Sequence, residues 1–132
     1  VQELGLSDRV EFCGSLYGED LDWEVMSAEA LVVPSLWYEN LPYVVTENQA
    51  RGVVVIASAS GGITERITHG RNGFLFPMGD AEVLGKTLKE LKSFDLEAIR
   101  MQAVLDSHDL SPEAFLKQIE ALYGEVIDRY GE

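Results

Sequence analysis

Cysteine is nearly absent from this 132-residue chain: Cys13 stands alone, so no intrachain disulfide can form and a reducing compartment is expected. Proline is scarce as well, at four residues, and no Pro- or Gly-rich tract is long enough to divide the chain. No apolar run approaches the ~20 residues of a membrane helix, and the first residues lack the basic-then-apolar pattern of a signal peptide. The chain therefore reads as cytoplasmic. Positive charge is also short, with ten Lys and Arg against twenty-three Asp and Glu, a net −13. That balance speaks against nucleic acid as a partner, because such affinity comes from basic side chains displacing counterions from phosphates. It likewise leaves contact with an anionic membrane to parts of a protein outside this chain.

What is present is ordinary for a folded domain: 46% apolar and 25% charged residues, at a length that suits one core. The acidic excess is not uniform. Residues 51 to 72 carry Arg51, Arg66 and Arg71 against Glu65 alone, so a small anion could bind in the middle of the chain, where distant surface charge is screened. Cys13, between Phe12 and Gly14, is expected to be a small core residue. The chain opens on Val1, inside what reads as the end of a helix (1 to 6), which points to a fragment or a processed product.

Short apolar runs alternate with amphipathic segments. Val10 to Cys13, Ala30 to Val33, Val53 to Ala57 and Gly73 to Phe76 are each four or five residues long, the pattern of strands covered on both faces. Helices are expected at 20 to 28, with Leu21, Val25 and Met26 on one side, at Pro42 to Arg51 and at 63 to 68. Asp80 can cap a helix over 81 to 92, another covers 96 to 105, and Ser111-Pro112 open a long one. In that last helix Phe115, Leu116, Ile119, Leu122, Tyr123, Val126, Ile127 and Tyr130 are expected to face inward. The result is an α/β chain: a Rossmann-like parallel sheet of about four strands with helices on both faces. One domain spans 1–132, with a core over 1–92 and C-terminal helices over 93–132. Gly14-Ser15, Pro34-Ser35, Ser58 to Gly62 and Pro77 to Asp80 fall just past the strand ends, where ligands collect in such folds.

The stretch from Pro34 to Glu47 carries the most chemistry. Pro42 suits a first helical residue, so the amino end of the following helix faces the preceding loop. Free N–H groups near Leu41, Tyr43 and Val44, with the helix dipole, would cradle a small anion. Glu39 lies before that cradle and Glu47 about one turn inside the helix. Carboxylates that accept from hydroxyls suit sugars and riboses. Taken alone, however, such a pair is also ordinary dipole complementarity on a solvated face. Ser58-Ala59-Ser60-Gly61-Gly62 follows the next strand, where two glycines let backbone approach a ligand closely, or simply form a turn. Trp37 and Tyr38 read as packing residues, with contact to a sugar face as the alternative. His69 and His108 have no ligand or triad partner at useful spacing and read as surface residues.

Together VEFCGSL, ALVVPSLWYENLPYVVTENQARGVVVIASASGGITERITHGRNGFLF and GDAEVLGKTLKEL resemble, in order and spacing, the carboxy-terminal donor-binding domain of retaining glycosyltransferase family 4, or glycosyltransferase group 1. The resemblance runs from about Val1 to Leu91, and its centre is Glu39 and Glu47, seven residues between them, after a Pro-Ser strand end. It implies half of a two-domain fold holding a nucleotide diphosphate sugar as donor, hexosyl transfer with retention, and no bound metal or other cofactor. By resemblance Glu39 is the catalytic residue, meeting donor-sugar hydroxyls and stabilising transition-state charge rather than acting as nucleophile. Glu47 would accept from the ribose, and Asn40, Leu41 and Tyr43 would present backbone to sugar and diphosphate. Leu16 would wall the base, and Gly14 before it is counted among the donor-binding residues.

Two strands that begin this domain in the family are absent, as is the basic pair that neutralises the leaving diphosphate, and so is the acceptor-binding domain. Transfer by this chain alone is therefore not expected. With those strands gone, Val10 to Gly14 is expected to close onto Ala30 to Val33, or else a second chain supplies strands and a homodimer forms. Beside the enzyme-half reading stand two others: a nucleotide or sugar binding module without turnover, and an acidic interaction domain that kept the fold.

Overall fold

A computed structural model describes residues 1–131. Three parallel strands form the sheet, in the order β1 (Leu31–Val33), β2 (Val55–Ala59), β3 (Phe74–Pro77). Val33 lies opposite Ala57, and Ala57 opposite Leu75. The helices are α1 (Gly18–Ser27), α2 (Tyr43–Ala50), α3 (Ile63–Arg66), α4 (Ala81–Glu90), α5 (Leu96–Ser107) and α6 (Pro112–Tyr130). Parallel neighbours need a crossover, and α2 and α3 supply them after β1 and β2.

Period-two alternation sorts the strand side chains into two apolar layers. On one face Val33, Val55 and Ala57 pack with Val45 of α2 and with Ile63 and Ile67 at α3, and Leu31 and Leu75 join them. On the other, Val54, Ile56, Phe74 and Phe76 pack with Leu91 and Ile99, flanked by Val83 and Leu84 of α4 and Leu96 of α5. Residues 53 to 57 are buried throughout because β2 is the central strand, covered above and below. The Phe74 ring meets Phe94 edge-on with centroids 4.9 Å apart.

Side-chain caps set several helix starts. Asp80 Oδ1 accepts from Val83 N–H at 2.9 Å, and Ser111 Oγ accepts from Ala114 N–H at 3.1 Å, as expected from sequence. Asp95 caps α5 in the same way. A polar hub then welds α5 to the loop before β3: Asp106 accepts from Arg71, Asn72 and Gln102, and Arg66 donates to its carbonyl. Asn72 also bonds Thr68 N–H and the Arg66 carbonyl, and its own carbonyl accepts from the fully buried Gln49 of α2.

Three expectations fail, each for want of a neighbour. Val10 to Cys13 forms no strand and does not close onto β1; it has no ladder hydrogen bonds, and Phe12 and Cys13 are exposed. Its apolar character marks a segment suited to burial, but an extended backbone becomes a strand only when another offers complementary N–H and C=O groups. The sheet consequently has three strands rather than about four. On α1, Leu21, Val25 and Met26 reach no core, and no residue of that helix is buried. The α6 stripe is largely exposed as well, with Phe115 at 61% and Ile127 at 65% exposure, since none of the described residues covers it fully. The first turn, at Gln2–Leu4, is a 3-10 turn that ends at Gly5.

This division between core and uncovered helix is measurable. Phe74→Ala is expected to destabilise the chain by about 3–5 kcal/mol in urea unfolding, whereas Phe115→Ala should change stability by less than about 0.5 kcal/mol.

Candidate functional site

β1 ends at Val33, and the chain then runs through Pro34 to Leu41 before α2 starts at Tyr43. Because Val33 pairs with Ala57, this loop leaves the sheet beside the one that follows β2. Two contacts join the loops, and a third closes the first loop on itself. Gly62 N–H donates to the Glu39 carbonyl at 2.8 Å, Ser60 Oγ donates to the Trp37 carbonyl at 2.6 Å, and Ser35 Oγ donates to Glu39 Oε1 at 2.7 Å. Ser35 and Ser60 are buried and Glu39 half-buried.

The two glycines matter for this lock. A Cβ on Gly61 would fall 2.0 Å from the Glu39 carbonyl oxygen, and one on Gly62 only 1.6 Å from that of Asn40. Gly61 also has φ +49°, a conformation side chains rarely adopt. The Gly-Gly pair is therefore where one loop backbone lies directly on the other.

Pro42 is the residue before the first helical one, rather than the first helical residue itself, and it supplies no side-chain cap. Its carbonyl accepts from Val45 and Thr46, while the N–H groups of Tyr43 and Val44 have no hydrogen-bond partner among the described residues. These donors and the positive end of the α2 dipole face the loop that carries Glu39.

Glu47 lies one turn further along α2, its side chain 61% exposed and 3.9 Å from Arg51, which in turn pairs with Asp22 at 3.2 Å. Glu39 and Glu47 thus have separate partners. Together with Leu41 and Tyr43, Glu47 lines a groove of about 710 Å³ whose far wall is His108, Leu110 and Phe115. Asn40 is exposed, with its carbonyl against Gly62. Gly14 and Leu16 are not brought to this place by any hydrogen bond: they sit in the irregular stretch before α1, Gly14 exposed at φ +69° and Leu16 half-buried. Trp37 and Tyr38, expected to pack, stand exposed at the loop surface. His69 is exposed and its Nδ1 accepts from Leu75 N–H, so it serves the start of β3. The arginines of the middle stretch are engaged within the protein, Arg51 with Asp22 and Arg66 and Arg71 with Asp106. Among the described residues no group of three or more His, Cys, Asp or Glu is placed to hold a metal ion.

Sequence reasoning missed Ser35 as a partner of Glu39 and the 108 to 115 segment as a groove wall. A hydroxyl four residues before a carboxylate has no meaning until the loop is seen to curl back. The groove wall depends on where α5 ends relative to α2.

Fold and loops together define the class: a parallel α/β domain with a carboxylate-bearing loop and an uncapped helix amino end at the carboxyl edge of its sheet. Within that class the chain belongs to the glycosyl transferases group 1 family, whose model matches residues 1–103. A D-inositol 3-phosphate glycosyltransferase of Mycobacterium sp. (strain KMS) is 32% identical over 128 residues, which cover 97% of this chain and 29% of that protein. An exopolysaccharide phosphotransferase of Streptomyces coelicolor is 31% identical, with 98% and 14% covered. The chain therefore spans less than a third of these curated relatives. Among solved structures, sucrose-phosphate synthase from Thermosynechococcus elongatus superposes with a TM-score of 0.80 at 31% identity, over 97% of this chain and 33% of that one. An Anabaena protein crystallised with UDP-glucose shares the fold, with a TM-score of 0.74 at 24% identity, 94% of this chain and 34% of that one.

The glycine lock predicts a contrast between two substitutions. Gly62→Ala should cost about 1–3 kcal/mol in urea unfolding, because backbone must move to admit the methyl group. Gly85→Ala, in the middle of α4 with open space around its Cα, should raise stability by about 0.5–1 kcal/mol.

Proposed function

We propose that this chain is the nucleotide-sugar donor-binding part of a retaining glycosyltransferase, which transfers a hexosyl unit from a nucleotide diphosphate sugar to an acceptor held by another part of the protein. The observation that carries the reading is the uncapped amino end of α2, with the unpartnered N–H groups of Tyr43 and Val44, set directly after the locked loop that holds Glu39. Backbone N–H groups at a helix start suit the diphosphate. Carboxylates on either side of them suit hydroxyls: Glu39 those of the sugar and Glu47 those of the ribose. Leu41 and Asn40 add loop backbone along the sugar. Membership of the group 1 family and the 32% identity to a glycosyltransferase over nearly the whole chain support the same assignment.

In this mechanism Glu39 positions the sugar and stabilises positive charge at the anomeric carbon as the diphosphate departs from the same face that the acceptor enters, which gives retention. The reaction uses no metal in this scheme, so the leaving diphosphate needs cations from protein. Arg51, Arg66 and Arg71 are already engaged with acids or carbonyls, which favours a chain that binds donor without transferring sugar by itself. The exposed Cys13 thiol fits a reducing compartment, and we place the reaction in the cytoplasm.

UDP and UDP-glucose are suitable probes, since a protein of the same fold has been crystallised with UDP-glucose. Calorimetric titration should show both binding to this chain, and Glu47→Ala should weaken both by about ten-fold or more, the value of a lost charged hydrogen bond. No glucose should be released over the same period. Absence of any nucleotide binding would favour an acidic interaction domain that kept the fold, and would overturn the proposal.

A further inference from the structure

Glu39 is held at two levels. Its backbone is fixed by Gly62 N–H and by the Ser60 bond to Trp37, and its side chain by Ser35. Ser35 is only 5% exposed, and its single hydroxyl proton is directed to Glu39 Oε1 at 2.7 Å. A carboxylate offers two oxygens and about four lone-pair sites. Ser35 occupies one site on Oε1, and among the described residues no protein donor bonds Oε2.

We infer that Ser35 is a positioning residue: it fixes the rotamer of Glu39 so that the carboxylate's remaining sites, Oε2 above all, accept hydroxyl hydrogen bonds from the hexosyl group of the donor. This rests on the donor-site reading of Glu39 given above. A long flexible side chain loses rotamer freedom whenever it grips a ligand, and a carboxylate already held by a buried hydroxyl has lost much of it beforehand. The bond has a charged acceptor and lies within a loop that is itself locked, so it survives where an exposed pair would exchange with water. The Ser35 hydroxyl is committed to Glu39, the carboxylate assigned to the sugar, and not to Glu47 or the start of α2. Its effect is therefore confined to the sugar.

The test is a double-mutant cycle read by calorimetry on the 132-residue chain, with UDP-glucose and UDP as the two probes. The quantity of interest is the affinity advantage of UDP-glucose over UDP. Ser35→Ala should cut that advantage by about three- to ten-fold, the effect of one charged hydrogen bond, while leaving UDP affinity within about two-fold. Ser35→Thr, which keeps the hydroxyl, should retain it. In a Glu39→Ala background, Ser35→Ala should have no further effect, because a residue acting through Glu39 has nothing left to act on. A merely structural Ser35 would instead weaken UDP and UDP-glucose alike, or add its full effect to that of Glu39→Ala, and either result overturns the inference. Loss of the advantage in a folded Ser35→Thr counts against it equally. If Glu39→Ala leaves the advantage intact while Glu47→Ala still weakens UDP, the donor site stands and the Ser35 inference falls. If neither probe binds the unaltered chain, the donor-site reading fails first and takes the inference with it.

Discussion

Register between β1 and β2 governs where everything chemical falls in this molecule. With Val33 opposite Ala57, β1 ends two residues short of the end of β2, and the loops that follow them, 34 to 41 and 60 to 62, leave the sheet in contact. A slip of one residue would turn Val55 and Ala57 from one apolar layer into the other and carry Ser60 away from Trp37. Burial of both faces of β2 is what forbids that slip. The same hydrophobic alternation that builds the core therefore also sets the distance between the loops.

Once the loops are adjacent, their contact is too close for side chains. Two glycines allow the backbone after β2 to lie on Glu39 and Asn40, and a hydrogen bond to the Glu39 carbonyl replaces the water that this group would otherwise need. Rigidity at this point has a functional meaning in the proposed reaction. Charge that develops at an anomeric carbon is stabilised best by groups already in place, which need not reorganise as the bond breaks. A loop fixed at Trp37, Glu39 and Asn40 meets that requirement, while Trp37 and Tyr38 project from it into solvent.

The molecule is less complete at its margins than at this centre. Residues 10 to 17, α1 and α6 carry apolar side chains, none of them fully buried among the described residues, whereas α5 is fastened by the Asp106 hub and by packing of Ile99. The chain corresponds to under a third of the curated relatives it matches, and the uncovered surfaces lie outside the part whose strands, loops and buried layers form a closed set. The groove beside Glu47 joins centre to margin, since one wall belongs to α2 and the other to the segment between α5 and α6.

The α/β class, β1 to β3, the order of all six helices and the caps at Asp80 and Ser111 were legible in the chain itself, because each depends on local periodicity or on a side chain within three residues. The places of Glu39 and Glu47 along one loop and one helix, with a helix start near Pro42, could be read in the same way, while the sugar and ribose roles proposed for them rest on family resemblance. Tertiary structure alone decided the rest. Whether an apolar run becomes a strand depends on a partner, and whether a stripe becomes core depends on what covers it; among the described residues Val10 to Cys13 has no such partner and α6 no such cover. The Ser35–Glu39 bond and the placing of Gly61 and Gly62 on a neighbouring backbone belong to this second kind. They arise from the approach of segments about twenty residues apart or from the curl of a loop, and nothing in local residue preference encodes such a distance.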